Sequence, residues 1–251
     1  MSTTQSHVTH PGQERTSRSF ARRHAAFAGG ELVVLLAALA LAVIVRRHPG
    51  PLPGDVGVAL ALQHFLLPNQ WLASLIDGVS AINWPVPSAI VMAGVVGLLV
   101  TLRRWLAAGT ALLTSALADA SSYITNEIVR RPRPSDHDLH ILHVIKNYYS
   151  FPSGHVIHAV AFFGFVLFLT WQTRRWVPLL WLVRAVLIAL IVLMGPSRVL
   201  EGEHWPSDVL GGLLYGAFWL ILGLHLYTWA GHRWPRYRAA RDRRRAARTR
   251  S

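Results

Sequence analysis

Three short polar runs in an otherwise apolar chain carry the residue types that handle phosphate. Ser197 to Asp208 places Arg198, His204 and Asp208 between two apolar stretches. Four residues of helix advance about 6 Å and return to the same face, so Asp208 can hold one ring nitrogen of His204 while the other acts as nucleophile or base. Pro206 suits the first turn of a helix, where its missing N–H costs nothing, and a helix start at Trp205 or Pro206 is predicted. Alone, a His-x-x-x-Asp pair fits an interfacial helix start with a solvated ion pair as readily as a catalytic site. The second run, Phe151-Pro152-Ser153-Gly154-His155, adds a histidine and a Ser-Gly helix start, and the third, Arg131-Pro132-Arg133-Pro134, adds guanidiniums. Together they form a set that can bind and cleave a phosphate ester.

All three runs lie at the ends of apolar segments, which must position them. The 251 residues are 52% hydrophobic and include no cysteine, which excludes a disulfide framework, thiolate chemistry and cysteine-ligated metal. Apolar runs of roughly 15 to 22 residues recur, the signature of membrane spans. The net charge of +13 would suit nucleic acid, but the arginines fall between apolar runs and in the two tails, and the C-terminal tail has no interleaved aromatics beyond Trp234 and Tyr237, so no nucleic-acid partner is expected.

In chain order, residues 1–24 read as a disordered basic tail. Residues 25–45 form a retained first span rather than a signal peptide. The mixed stretch 55–80 reads as interfacial or re-entrant helix, and further spans follow at 85–102, 105–128, 155–171, 176–194 and 208–230. The fold class expected is all-α: a polytopic bundle of six transmembrane helices over 25–230, with an Arg-rich tail at 231–251. Six spans put both termini on one side. If that side is the cytoplasm, inside segments hold seventeen Lys/Arg and outside segments seven, as the positive-inside rule requires. The three polar runs then face away from the cytoplasm, and the C-terminal tail binds anionic lipid of the inner leaflet.

Asn126 to Pro134, Pro152 to His155 and Ser197 to Asp208 together resemble the three signature motifs of the type 2 phosphatidic acid phosphatase family, whose fold is shared with vanadium haloperoxidases. The second motif, Pro-Ser-Gly-His, and the third, Ser-Arg-x5-His-x3-Asp, match in full. In the first, Lys-x6-Arg-Pro, Arg133 and Pro134 match while Asn126 stands at the lysine position. The resemblance covers about 85–230. It implies a metal-independent membrane phosphatase without cofactor, in which His204 attacks phosphorus and forms a phosphohistidine, Asp208 orients it, and His155 protonates the leaving oxygen and then activates water. Arg133 and Arg198 would bind the phosphoryl oxygens, assisted by Ser153 and Gly154. The physics of the residues agrees: guanidinium forks match phosphate oxygens in pairs, and Ser153 as an N-cap would open an anion-binding helix start. Fixed positive donors lower the barrier by meeting charge on the equatorial oxygens.

Losing the lysine at position 126 removes one charge-assisted bond to phosphate. If the helix continues, Arg130 lies one turn beyond Asn126 on the same face and supplies the missing charge. His137, His140 and His143 are spaced by three, but aliphatic residues intervene and no metal site is expected. Arg184 and Asp119 lie inside spans, where an ionisable group is either functional or satisfied by a neighbouring helix. The tryptophans near span ends, including Trp205, read as interfacial anchors. A site at headgroup depth suits a lipid phosphate or diphosphate. The resemblance implies a polyprenyl diphosphate first, then phosphatidic acid or phosphatidylglycerol phosphate. A lipid phosphotransferase and a non-catalytic lipid-phosphate binder or transporter are the alternatives, and product analysis separates them.

Overall fold

The structure, a computed structural model, describes residues 11–142, 149–173 and 177–248. No strand occurs among the described residues. Helix α1 (Pro11–Arg47) is followed by two short helices, α2 (Asp55–Leu66) and α3 (Gln70–Ala81), then by α4 (Pro85–Thr101) and α5 (Trp105–Val129). Next comes a continuous rod of α6 (Gly154–His158), a π-helical turn (Ala159–Phe163) and α7 (Gly164–Trp171), before α8 (Pro178–Leu200) and α9 (Pro206–Arg248). Prolines open several of these helices: Pro85, Pro178 and Pro206 each occupy a first helical position, where no N–H is needed.

Among the described residues, four stretches are long and apolar enough to cross a membrane: His24–Arg47, Gly154–Trp171, Pro178–Leu200 and Pro206–His232. Helices α3 and α4, bent by 66° at their junction, make a fifth if they count as one broken span. The 25 residues of α5 would cover about 37 Å at 1.5 Å each. Their apolarity is lowered by Thr110, Thr114, Ser115 and Ser122 on the buried side, so α5 stands outside that count. Helix also enters both segments expected to be tails, since α1 begins at Pro11 and α9 runs to Arg248. Arginine and alanine are good helix formers, and extending a helix already nucleated by a span adds a hydrogen bond per residue fixed.

Helix α9 is the axis of the bundle and packs on α1, α5 and α6. Contact with α6 is close because Gly212 and Gly216, four residues apart, expose backbone on one face. A Cβ at Gly212 would lie 2.8 Å from Val156 Cβ and 2.9 Å from the Ser153 carbonyl oxygen. The second and third motifs are thereby pressed together. Gln63 of α2 ties the loops above the bundle, donating from Nε2 to the carbonyls of His140 (2.7 Å) and Leu200 (3.0 Å). Trp71, Trp84, Trp105, Trp171 and Trp229 are exposed near span ends, as interfacial anchors would be. Trp205 is not one of them: it is buried with Ala59, Leu139 and Val199 under the motif loops.

Candidate active site

Helix α8 ends at Leu200, and Gly202 turns the chain with φ +72°; a Cβ there would meet the His140 carbonyl oxygen at 2.6 Å. The turn folds the chain back so that the amides of Glu203 and His204 donate to the Arg198 carbonyl at 3.2 and 3.3 Å. His204 is buried, and its Nδ1 lies 2.8 Å from the backbone oxygen of Ser150. A carbonyl only accepts, so Nδ1 carries the proton and Nε2 keeps its lone pair. Nε2 sits 3.4 Å from Nη1 of Arg133. Burial, and then the charge of Arg133, push the His204 imidazole down to about 4, against the opposing pull of Asp208. The ring is therefore neutral at neutral pH and has a lone pair to offer.

Asp208 does not hold His204 in the expected way. Its Oδ2 is 3.8 Å from Nδ1, beyond hydrogen-bond length, and the Ser150 carbonyl has taken the position. The reason is capping. Asp208 is the third residue of α9, from which its carboxylate reaches back to the Trp205 amide at 2.8 Å. The same carboxylate accepts from the Ser150 hydroxyl and from Arg131 at 2.5 Å. Asp208 thus holds Ser150, which holds His204.

Arg131, which the sequence offered only as one guanidinium of the third run, has a structural place of its own. Fully buried, it donates to Asp208, to Ser207 Oγ (2.8 Å), to Asp55 Oδ2 (2.8 Å) and to the Gly50 carbonyl (2.9 Å). Asp55, at the start of α2, also accepts from the Ser207 amide and hydroxyl at 2.8 and 2.6 Å. A lone carboxylate opening an apolar helix was the available signal for this buried network; its partner, 76 residues away, had none.

Arg133 donates to the Glu203 carbonyl at 2.8 Å. Its guanidinium is drawn below its usual value by burial, which the charge of Asp208 opposes. Arg198, also buried, bonds Ser80 Oγ at 2.9 Å and Glu201 at 2.5 Å, and its other terminal nitrogen meets Glu203 Oε2. That same oxygen lies 3.5 Å from Arg133 Nη1. Two guanidiniums thus converge on one anionic oxygen, the spacing that a phosphoryl oxygen also needs. The Arg198 Nε–H is buried and has no partner among the described residues.

Ser153 stands at the N-cap of α6 without capping it: no hydrogen bond links its hydroxyl to that first turn, and Oγ is buried without a partner among the described residues. Gly154 fits against α5, where a Cβ would come within 3.1 Å of Ser122 Oγ. His155 has its Nε2 buried and without a partner among the described residues. Buried polar atoms are rarely left so, and when several surround one hollow they indicate a ligand. Asn126 braces this loop, its Nδ2 donating to the carbonyls of Ser122 and Pro152 at 3.1 Å each.

The expected substitution of Arg130 for the missing lysine is corrected. Helix α5 stops at Val129, and Arg130 takes a left-handed C-cap conformation (φ 54°). Its exposed side chain bonds the Glu127 carbonyl at 3.0 Å and pairs with the Glu127 carboxylate. The same-face relation needed a continuing helix, and the cap ends it. His140 is engaged through its backbone by Gln63, His137 lies 3.9 Å from Asp138, and His143 is outside the described residues. Arg184 is satisfied by a neighbouring helix: it bonds the Thr170 carbonyl at 2.8 Å and lies between the rings of Trp171 and Trp181.

Asn126, Arg133, Gly154, His155, Arg198 and His204 line one cavity of about 960 Å³, the size of a site for a bulky headgroup. Glu203 joins them, and so do Met92 and Ala89 of α4.

Among proteins of known function, the chain is similar to the undecaprenyl-diphosphatase of Sulfolobus acidocaldarius, 26% identical over 199 residues that cover 77% of this chain and 89% of that one. It is 29% identical over 170 residues to the decaprenylphosphoryl-5-phosphoribose phosphatase of Mycobacterium tuberculosis, covering 65% of this chain and 85% of that one. The transmembrane PAP2-type phosphatidylglycerolphosphate phosphatase of Bacillus subtilis shares the fold, with a TM-score of 0.64 at 21% identity over 77% of this chain and 94% of that one. The sequence model of the PAP2 superfamily matches residues 104–232, a stretch that contains every motif residue of the cavity, and the chain belongs to that superfamily.

Proposed function

We propose that the chain is a multi-pass membrane phosphatase that hydrolyses a lipid phosphate or diphosphate through a phosphohistidine on His204. The observation that carries this reading is that His204, His155, Arg133 and Arg198 face one cavity, although Arg133 precedes His204 by 71 positions. The Nε2 lone pair of His204 attacks phosphorus, the bond from phosphorus to the leaving oxygen breaks, and His155 gives that oxygen a proton. His155 then takes a proton from water as the water oxygen attacks phosphorus; the P–N bond breaks and inorganic phosphate leaves. Arg133 and Arg198 hold the equatorial oxygens, where charge accumulates. The scheme needs no cofactor or metal. Met92 and Ala89 of α4 give the cavity lining an apolar part against which a lipid tail can rest. The relatives' polyprenyl-linked substrates support a polyprenyl diphosphate first within the class, then phosphatidic acid or phosphatidylglycerol phosphate.

Six spans are proposed, α5 included because its polar residues turn inward. Both termini lie in the cytoplasm and the cavity opens at the extracytoplasmic face of the cell membrane, with the Arg-rich tail on anionic lipid of the inner leaflet. The test is phosphate release by the purified full chain in detergent, over a panel of lipid phosphates without added divalent metal, beside His204→Ala. Release should fall by about 10³-fold or more in the variant. An unchanged rate would overturn the nucleophile, and a new phosphoester in place of free phosphate would make the protein a transferase.

A further inference from the structure

One turn along α6 from His155, the same cavity has a second polar cluster that the hydrolysis does not use. His158 is buried, and its Nδ1 lies 3.2 Å from both carboxylate oxygens of Asp119 on α5. Its Nε2 lies 3.2 Å from Ser88 Oγ on α4. With Nδ1 donating to the carboxylate, Nε2 accepts the Ser88 proton. That leaves lone pairs on Ser88 Oγ and on both oxygens of Asp119, whose side chain is 47% exposed. Above them Asn83, only 8% exposed, donates from Nδ2 to the His155 carbonyl at 2.9 Å. This bond fixes which end of the amide is which, since a flip would set oxygen against oxygen. The Asn83 Oδ1 is left buried, with no partner among the described residues. Asn83, Ser88, Asp119 and His158 all line the cavity, and the atoms they leave over are acceptors.

We infer that this wall is a recognition subsite for hydroxyl groups close to the scissile phosphate. The inference rests on the phosphatase reading but reorders its substrates, placing phosphate monoesters of a polyol or sugar headgroup ahead of the polyprenyl diphosphate that the relatives' names favour. The buried Asn83 Oδ1 is satisfied only by a donor, and a carboxylate–hydroxyl bond to Asp119 is among the stronger neutral–ionic pairs. His158 is about 4.5 Å along the helix from His155, within reach of a hydroxyl one or two carbons from the ester oxygen. The inner phosphate of a diphosphate has no donor at neutral pH and would face the Asp119 carboxylate. A diacylated glycerol phosphate offers only ester oxygens there.

A matched pair of substrates tests the subsite: 1-oleoyl-glycerol 3-phosphate and its 2-deoxy analogue, turned over by the full chain in mixed micelles. The hydroxylated compound should have a kcat/KM at least about tenfold higher. Asp119→Ala should bring the ratio close to one, and Asp119→Asn, which keeps an acceptor, should hold it in between. Ser88→Ala, the mildest change, should lower the ratio about threefold. A merely structural role for Asp119 would depress both substrates alike and leave the ratio where it was, which would overturn the inference. Equal turnover of the two compounds by the unmodified protein would overturn it alone. No phosphate from either, while a polyprenyl diphosphate in the same micelles does release phosphate, would also overturn the subsite alone; no phosphate from any of the three would overturn the phosphatase reading and this subsite with it.

Discussion

His204 offers one ring nitrogen to a backbone carbonyl and the other to the cavity beside Arg133, an arrangement with a measurable consequence for pH. Burial and the positive charge of Arg133 both disfavour the imidazolium, which brings the ring to about 4. The sign follows directly: the nucleophile stays neutral well below the pH at which a free histidine protonates, and is lost only as pH falls through about 4. The acid limb of kcat/KM, which reports the free enzyme, should lie near there. Arg133→Gln removes the larger of the two cationic influences that depress the ring, leaving burial and Arg198, so beyond lowering the rate it should move that limb toward higher pH. A limb that stays in place in the variant would show that Arg133 does not set the state of His204. The residue scale also shows what neighbouring arginines can hide. Arg130 and Arg131 are adjacent, yet one caps a helix in solvent and the other joins Asp55 to Asp208 in the interior.

At the scale of elements, the site depends on how closely α6 approaches α9. Ser153 and His155 stand at the start of one helix and Asp208 at the start of the other, and the glycine face of α9 lets the backbones meet. Gly212→Val places a branched side chain where Val156 and the Ser153 carbonyl already are. It should destabilise the detergent-solubilised protein by about 1–3 kcal/mol and reduce turnover by separating His155 from His204. Gly94→Val in α4, where nothing lies within 4 Å of the added carbon, is the control and should leave the melting temperature within a degree or so of the parent. Equal melting temperatures for both variants would show that the close α6–α9 contact is not what holds the motifs. Apolar run length and the prolines made the helices legible in advance. The break at Arg130 was not legible, because a left-handed C-cap on a residue other than glycine has no strong local signal.

For the whole molecule, the proposed orientation follows from charge: seventeen cationic side chains on the side of the termini against seven on the side of the motifs. The chain has no cysteine, so a single introduced thiol reports its own location. In intact cells a membrane-impermeant thiol reagent should label Ser135→Cys, in the first motif loop, and should reach Ser251→Cys only after permeabilisation. The reverse pattern would put the cavity in the cytoplasm and change which pool of lipid phosphates it meets. Residues of α4 and α5, helices rather than loops, make up part of the cavity lining in either case.

The sequence by itself determined the helical class, the membrane setting and the three motifs, because apolar run length, proline position and motif spacing are local properties. It also named two of the three histidines that line the cavity, His155 and His204 but not His158. Only the tertiary structure decided that Ser150 rather than Asp208 receives the His204 proton, that Arg131 clamps two carboxylates, and that Asp119, His158, Ser88 and Asn83 meet on one wall. Those pairings span up to 77 positions. They are set by which helix faces pack together and which backbone groups burial leaves unsatisfied, quantities that no local window of residues contains.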